Sequence, residues 1–226
     1  QEFNVVQAVA LAEFDGLTEP NRNGDLPLRD LDPTRPNDAY FAHVDRVLAH
    51  AASLGLVVGL LPTWGDKVNR AWGAGPEVFT PENARVYGRW LGERYRDFGP
   101  LVWINGGDRE MATDAHRETF RALAAGLRDG DGGAHAITFH PQGGRSSGMD
   151  LHDEPWLEFD MIQSGHGARG IDNAAMVEAD RARTPAKPTF DAEPCYENHA
   201  INWKSDTSRF RDDDGRIAAY RSVFAG

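Results

Sequence analysis

The sequence predicts an α/β fold built on a parallel sheet, of the (β/α)₈ barrel type. Short apolar segments rich in β-branched residues alternate with longer segments of helical periodicity, which is typical of parallel strands covered by helices. Polar, acidic and aromatic residues follow the strands at their C-terminal ends, where barrel enzymes carry their chemistry. Neither G-x-G-x-x-G nor G-x-x-x-x-G-K-[ST] occurs, which disfavours a doubly wound nucleotide-binding sheet.

Six segments are predicted to be strands, because each is a short apolar run bounded by polar residues, glycine or proline. The second of them, for example, follows Gly55 and stops at Pro62. In chain order the strands are expected over residues 3–11, 56–61, 101–104, 136–139, 159–163 and 188–192.

Five helices are predicted from apolar residues at helical spacing and from start signals. Asn37, Thr80 and Thr113 are N-cap residue types, and Pro81 suits a first helical position. The helices are expected over residues 38–53, 80–97, 113–127, 172–183 and 213–224. No linker or change of composition interrupts the alternation, so the sequence predicts a single domain over residues 1–226.

Composition narrows the function classes. The 226 residues include 24 Lys and Arg and 35 Asp and Glu, a net charge of −11, which disfavours nucleic acid and anionic lipid as partners. The longest apolar run, 54–61, is too short to cross a membrane. Cys195 is the single cysteine, so an internal disulfide and a cysteine-based zinc site are excluded. A carbohydrate is compatible with this charge, and no cofactor is expected.

The residues at the strand ends suit a sugar, because amide and imidazole groups bind hydroxyls while aromatic rings stack on sugar faces. Trp64 and Trp72 stand next to loop glycines and are better placed for stacking than Trp103 and Trp203, although all four are also candidates for the core. The predicted substrate-binding residues are Gln7, Trp64, Asn105, His140, Gln163, His166, Tyr196 and Glu197.

Two carboxylates are candidates for catalysis. Asp108 follows Gly106 and Gly107 at a strand end, where the backbone can bend sharply; it is read as a general acid/base or as a plain helix or turn cap. Glu193 stands one residue beyond a buried strand, where a carboxylate is either catalytic or paired with a cation. Two carboxylates from different strand ends are the minimum for glycoside hydrolysis. Glu197 is read equally as an orienting group or as a loop acid.

Two other functions stay open from the residues alone. His140, His166 and Asp108 would serve a metal-dependent hydrolase, although no H-E-x-x-H motif is present, and no metal site is predicted. A barrel of the same composition would also bind carbohydrate without cleaving it.

Five sequence blocks resemble the apiosidase-like glycoside hydrolases, a bacterial family long described as a domain of unknown function. The blocks are GLVVGLLPTWGDKV (55–68), WINGGD (103–108), HPQGG (140–144), MIQSGHG (161–167) and FDAEPCYE (190–197). The resemblance extends to the opening FNVVQAVAL and to PNDAYFAHVDRVLAHA, so it covers nearly the whole chain.

The resemblance implies a (β/α)₈ catalytic barrel that releases branched pentose side chains, apiose above all, from pectic polysaccharide. It implies Asp108 as the acid/base and Glu193 as the nucleophile of a retaining glycosidase, and a secreted or periplasmic location. Members of the family carry a further strand before the FNVVQ segment and another after the position of Gly226. The six predicted strands are therefore expected to be the second to seventh of a barrel, with the first and eighth absent from this chain.

Overall fold

A computed structural model describes residues 3–205 and 208–226. The chain divides into two compact units, Gln1–Ile137 and Thr138–Gly226, and each is described by itself.

The first unit is built on parallel strands: β1 (Val5–Val9), β2 (Val57–Leu61) and β3 (Leu101–Gly106). Val5 pairs with Val57 and Val58 with Leu101, which places the three C-terminal ends at one edge of the sheet. The strand order is β1-β2-β3-β4, and β4 (Ile137–His140) starts at the last residue of this unit. The inner strands are buried, in keeping with their uninterrupted apolar sequences.

Three helices cover this sheet: α1 (Asp38–Ser53), α2 (Pro81–Tyr95) and α3 (Asp114–Asp131). The predicted caps are confirmed, because side chains of Asn37, Thr80 and Thr113 accept hydrogen bonds from the backbone of the first helical turn. Helix α3 continues four residues beyond its predicted end, through Gly130, and stops at Gly132 with φ 71°.

The second unit contains a three-stranded sheet of β5 (Arg145–Ser146), β6 (Asp160–Gln163) and β7 (Thr189–Asp191), with helices α4 (Ser147–Leu151), α5 (Asn173–Arg181) and α6 (Asp212–Ala225). β6 and β7 are parallel, with Ile162 opposite Asp191. β5 and β6 are antiparallel, with Arg145 opposite Gln163. The last residues of β6 and β7 therefore lie at one edge of this sheet.

The predicted α/β class is confirmed, with a parallel four-stranded sheet in strand order β1-β2-β3-β4. Each of the six predicted strands and five predicted helices has a counterpart, with shifts of a few residues at the ends. β5 and α4 were not predicted, because two residues and five residues are too short to show a period. The strand pairing of the described residues does not support the expectation that the first and eighth strands of a barrel are absent.

None of the helices within residues 3–205 and 208–226 combines the length and the apolar character needed to cross a membrane.

Candidate active site

Glu193 is the centre of a group of polar side chains in the second unit. It follows β7 by two residues, and its carbonyl accepts a hydrogen bond from the Gly165 amide at 2.9 Å, which ties the end of β7 to the loop after β6. Its carboxylate is 13% exposed. Oε2 lies 3.0 Å from Nε2 of His140 and Oε1 lies 3.2 Å from Nε2 of His166. The Tyr196 hydroxyl donates a third hydrogen bond to the carboxylate.

These donors set the protonation state of Glu193. Burial raises the pKa of a carboxyl group, but hydrogen bonds from His140, His166 and Tyr196 outweigh burial and hold the pKa of Glu193 well below its ordinary value of 4.5. The carboxylate is therefore ionised at neutral pH, partly desolvated, and held by donors on both oxygens. An oriented anion at a strand end is what a nucleophile requires.

His140 is the last residue of β4 and is buried. Its Nδ1 lies 3.0 Å from the carbonyl oxygen of Pro141, so that nitrogen donates. Its Nε2 faces Glu193, and a hydrogen bond to an ionised carboxylate again requires a donor. The two contacts together fix the orientation of the imidazole ring.

His166 and Gln163 come from the end of β6. His166 is buried and its ring lies 4.4 Å from the ring of Tyr196, which is 44% exposed. Gln163 closes β6 and is also buried, with no partner for Oε1 among the described residues. Asp191 is half-buried and accepts hydrogen bonds from Ser164 and Asn173, which brace the end of β7. Glu197 is exposed in the following loop.

Asp108 stands just after β3 in the first unit, on a strained backbone. Gly106 and Gly107 have φ of 86° and 120°, and Asp108 itself has φ 50°, a region that side-chain-bearing residues seldom adopt. A Cβ on Gly107 would lie 2.8 Å from the Gly65 amide nitrogen and 2.9 Å from the Trp64 ring. The glycine pair therefore produces the sharp bend that was predicted for it, and the bend leaves the Asp108 carboxylate 27% exposed.

Arg109 is the residue that the sequence reasoning missed. Its side chain is 1% exposed. Its Nη1 donates to the Asp108 carbonyl at 2.7 Å and lies 3.5 Å from Oδ2 of the same residue, while Nη2 contacts Glu13 at 2.5 Å. The guanidinium also lies 4.3 Å from the ring of Trp72. An arginine directly after a motif aspartate is the signal that could have found it.

The remaining predicted residues of the first unit occupy different depths. Gln7 lies in the middle of β1 opposite Gly59, not at the strand end where the sequence reasoning put it. Asn105 is buried in β3, and its amide lies 3.4 Å from the Phe120 carbonyl of α3. Trp64 is half-buried at the end of β2, next to the Gly107 bend. Their substrate contacts stay predictions.

The alternative of a metal-dependent hydrolase finds no support in the described part of the chain. No group of three or more His, Cys, Asp or Glu side chains is placed there to hold a metal ion. His140 and His166 direct Nε2 at Glu193 instead.

Comparisons with known proteins agree with this architecture. A crystal structure described as a glycoside hydrolase family 5 protein from Bacteroides vulgatus ATCC 8482 is 33% identical, with a TM-score of 0.88 over 100% of this chain and 50% of its own. A second solved structure, named as a glycoside hydrolase, is 30% identical, with a TM-score of 0.86 over 100% of this chain and 53% of its own. The chain thus spans about half the length of these two structures.

A broad-specificity endoglucanase from Clostridium acetobutylicum shares the fold at 10% identity, with a TM-score of 0.60 over 99% of this chain and 74% of its own. No protein of curated function matches the sequence significantly. The model of one sequence family, described as the apiosidase-like catalytic domain, matches residues 1–226. The chain therefore belongs to the apiosidase-like family of catalytic domains.

Proposed function

We propose that this chain carries the catalytic centre of a retaining glycosidase, with Glu193 as the nucleophile and Asp108 as the general acid/base. The observation that carries the proposal is the carboxylate of Glu193, which is mostly buried and yet kept ionised by three side-chain donors. The fold to which we assign it is a (β/α)₈ barrel, in keeping with the structural likeness to glycoside hydrolases.

In the proposed reaction Glu193 attacks the anomeric carbon while Asp108 gives its proton to the departing glycosidic oxygen. The bond from the anomeric carbon to that oxygen breaks with its electron pair, and a glycosyl ester forms on Glu193. Asp108, now ionised, takes a proton from water, and the resulting hydroxide displaces Glu193 from the anomeric carbon. The configuration of the sugar is retained, because the carbon is inverted twice.

The roles proposed for the surrounding residues are based on their contacts. His140, His166 and Tyr196 hold the carboxylate of Glu193 in one orientation, which lowers the entropy cost of reaching the attack geometry. Arg109 holds the backbone and carboxylate of Asp108 on its strained turn. Trp64, Gln163 and Tyr196 are proposed to contact the sugar.

The substrate proposed is a side chain of pectic polysaccharide, on the strength of the family to which the chain belongs. A neutral or branched sugar is compatible with the acidic net charge of −11. A polysaccharide does not cross a membrane unaided, so a secreted or periplasmic location forms part of the same proposal.

The test uses the full-length protein and a panel of aryl glycosides, with pectic polysaccharide in parallel. Glu193→Gln is expected to lower kcat by about 10³-fold or more for every substrate that is cleaved. Asp108→Asn is expected to lower activity on pectic substrates most. In an aryl glycoside such as a nitrophenyl glycoside, the leaving nitrophenolate needs no proton from an acid. Glu178→Gln and Asp97→Asn, both at exposed positions, serve as matched controls.

Full activity of Glu193→Gln would overturn the nucleophile assignment. Binding of pectic oligosaccharide without turnover of any substrate would instead identify a carbohydrate-binding barrel.

A further inference from the structure

Four aromatic rings form a continuous group beside Glu193: His166, Tyr196, His199 and Trp203, here called the aromatic cluster. The centroid of the His166 ring lies 4.4 Å from that of Tyr196 and 5.5 Å from that of Trp203. The centroids of the His199 and Trp203 rings are 4.2 Å apart, and the two ring planes meet at 81°. Two members, His166 and Tyr196, donate hydrogen bonds to the carboxylate of Glu193. The cluster therefore runs from the proposed nucleophile outward to Trp203.

Trp203 is the outermost ring and is 72% exposed. The backbone at Trp203 makes hydrogen bonds to its neighbours. The Trp203 amide donates to the Ala200 carbonyl at 3.1 Å, and the preceding Asn202 amide donates to the His166 carbonyl at 2.8 Å. The backbone that carries the ring is thus tied to the same residue that binds Glu193, and most of the ring surface faces solvent.

The backbone is strained where it presents this ring. Asn202 and Trp203 have φ of 55° and 59°, and a bulky residue seldom adopts this left-handed region. Such a conformation costs about 1–3 kcal/mol and persists only where the surroundings enforce it. Two backbone hydrogen bonds hold the residues on either side together: the Phe210 amide donates to the His199 carbonyl, and the Asn198 amide donates to the Phe210 carbonyl. Strain that turns a large apolar ring outward points to a ligand.

We propose that Trp203 is the stacking platform of a second sugar subsite, which holds a neutral sugar unit of the substrate next to the unit that reacts at Glu193. This inference rests on the proposed function and adds to it the way in which the substrate is selected. A rigid indole gives a broad apolar surface at little entropic cost, and the ring hydrogens of a sugar present a matching apolar face. The subsite makes the protein select a chain of at least two sugar units over a monosaccharide.

The experiment compares two probes of identical sugar composition. One is a pectic oligosaccharide preparation of two or more units, and the other is its complete acid hydrolysate, which contains the same sugars as monomers. Binding is measured by titration calorimetry on the full-length protein carrying Glu193→Gln, so that neither probe is turned over. Trp203→Ala and Trp203→Phe are added to this background, with Met149→Ala as a control at an exposed apolar position in the same unit.

Trp203→Ala is expected to weaken oligosaccharide binding by about tenfold, or about 1.4 kcal/mol. Trp203→Phe keeps a stacking ring and is expected to retain most of the affinity, and Met149→Ala all of it. Binding of the monosaccharides is expected to be the same in all variants. Equal oligosaccharide affinity with and without Trp203, or an equal loss for both probes, would overturn the subsite. Loss of hydrolysis in Glu193→Gln is measured separately on aryl glycosides, so failure of the glycosidase proposal shows there and not in these titrations.

Discussion

Nε2 of His140 lies 3.0 Å from Oε2 of Glu193, while Nδ1 of the same ring lies 3.0 Å from a backbone carbonyl oxygen. Two acceptors therefore face one imidazole. The arrangement keeps both hydrogen bonds when the ring carries both protons and the carboxylate carries none. Because the pKa of Glu193 is held low, the group that faces Nε2 of His140 is a carboxylate in a partly desolvated site.

Replacing His140 with Phe removes one donor and keeps the ring volume at this buried position. Glu193 then has fewer hydrogen bonds to its charged form, so its pKa rises towards the ordinary value of 4.5 or above. Since the nucleophile must be ionised, the acid limb of the pH profile of kcat/KM is expected to move to higher pH, and kcat to fall by about tenfold or more. Kinetics between pH 3 and pH 8 measure both effects. An acid limb unmoved by His140→Phe, or moved equally by His50→Gln at an exposed position of α1, would contradict the assignment.

Replacing Arg109 with Met removes a buried cation from between Glu13 and Asp108. Both carboxylates lose their contact with the guanidinium, but each is about a quarter exposed, so water replaces part of that interaction. We expect a loss of about 2–3 kcal/mol in the free energy of unfolding, at or below the lower end for a fully buried pair. Urea denaturation measures it. Arg46→Met, in exposed contact with His43 on α1, is expected to change stability by less than about 0.5 kcal/mol. A similar small value for Arg109→Met would show that the network is dispensable.

Gly107→Ala tests the bend that presents Asp108. The new Cβ would meet the Gly65 amide nitrogen at 2.8 Å, and alanine is disfavoured at φ 120°. Stability is expected to fall by about 1–3 kcal/mol, and activity to fall further because Asp108 moves. Gly99→Ala is the matched control, since a Cβ there meets nothing within 4 Å and φ is not in the positive region. Equal effects of the two substitutions on stability and activity would show that the bend at Gly107 does not position Asp108.

Asp160→Asn tests a buried acid away from the proposed nucleophile, at the start of β6. Burial, with the neighbouring charge of Asp180, raises the pKa of Asp160 above its ordinary value of 3.8. The unfolded chain therefore ionises first as the pH rises, and Asp160 costs stability progressively from about pH 3.8 up through its folded pKa. Denaturation from pH 3 to pH 7 should show that the stability of Asp160→Asn relative to the unsubstituted protein increases with pH across this window. A difference that is constant or decreases with pH would contradict the raised pKa.

Local signals in the sequence were sufficient for most of the secondary structure. Asn37, Thr80 and Thr113 cap helices as their residue types predict, and the apolar runs of β2 and β3 are buried strands. The last four residues of α3 were missed because Gly130 indicates an end to a helix when read alone. Strand β5 has only two residues, and its pairing with β6 is a tertiary contact that no short window encodes.

The residues around Glu193 could be predicted from the sequence, but their contacts with its carboxylate could not. The positions of His140, His166 and Tyr196 at strand ends placed them among the candidates, but which nitrogen faces which carboxylate oxygen depends on packing. Trp203 was read as a core candidate because a tryptophan is ordinarily buried, and the left-handed backbone that turns it outward has no signature at a Trp. Arg109 was overlooked because a charged residue at a loop is ordinarily solvated.

The central claim is that Glu193 forms the covalent bond to the sugar. An activated 2-deoxy-2-fluoro glycoside of the sugar that the protein cleaves would slow the second step and trap the glycosyl ester, and peptide mass mapping would locate it. We expect one added glycosyl mass on the peptide that contains Glu193, and no such mass in Glu193→Gln. A label on another residue, or an inverted product with no labelled peptide, would contradict it.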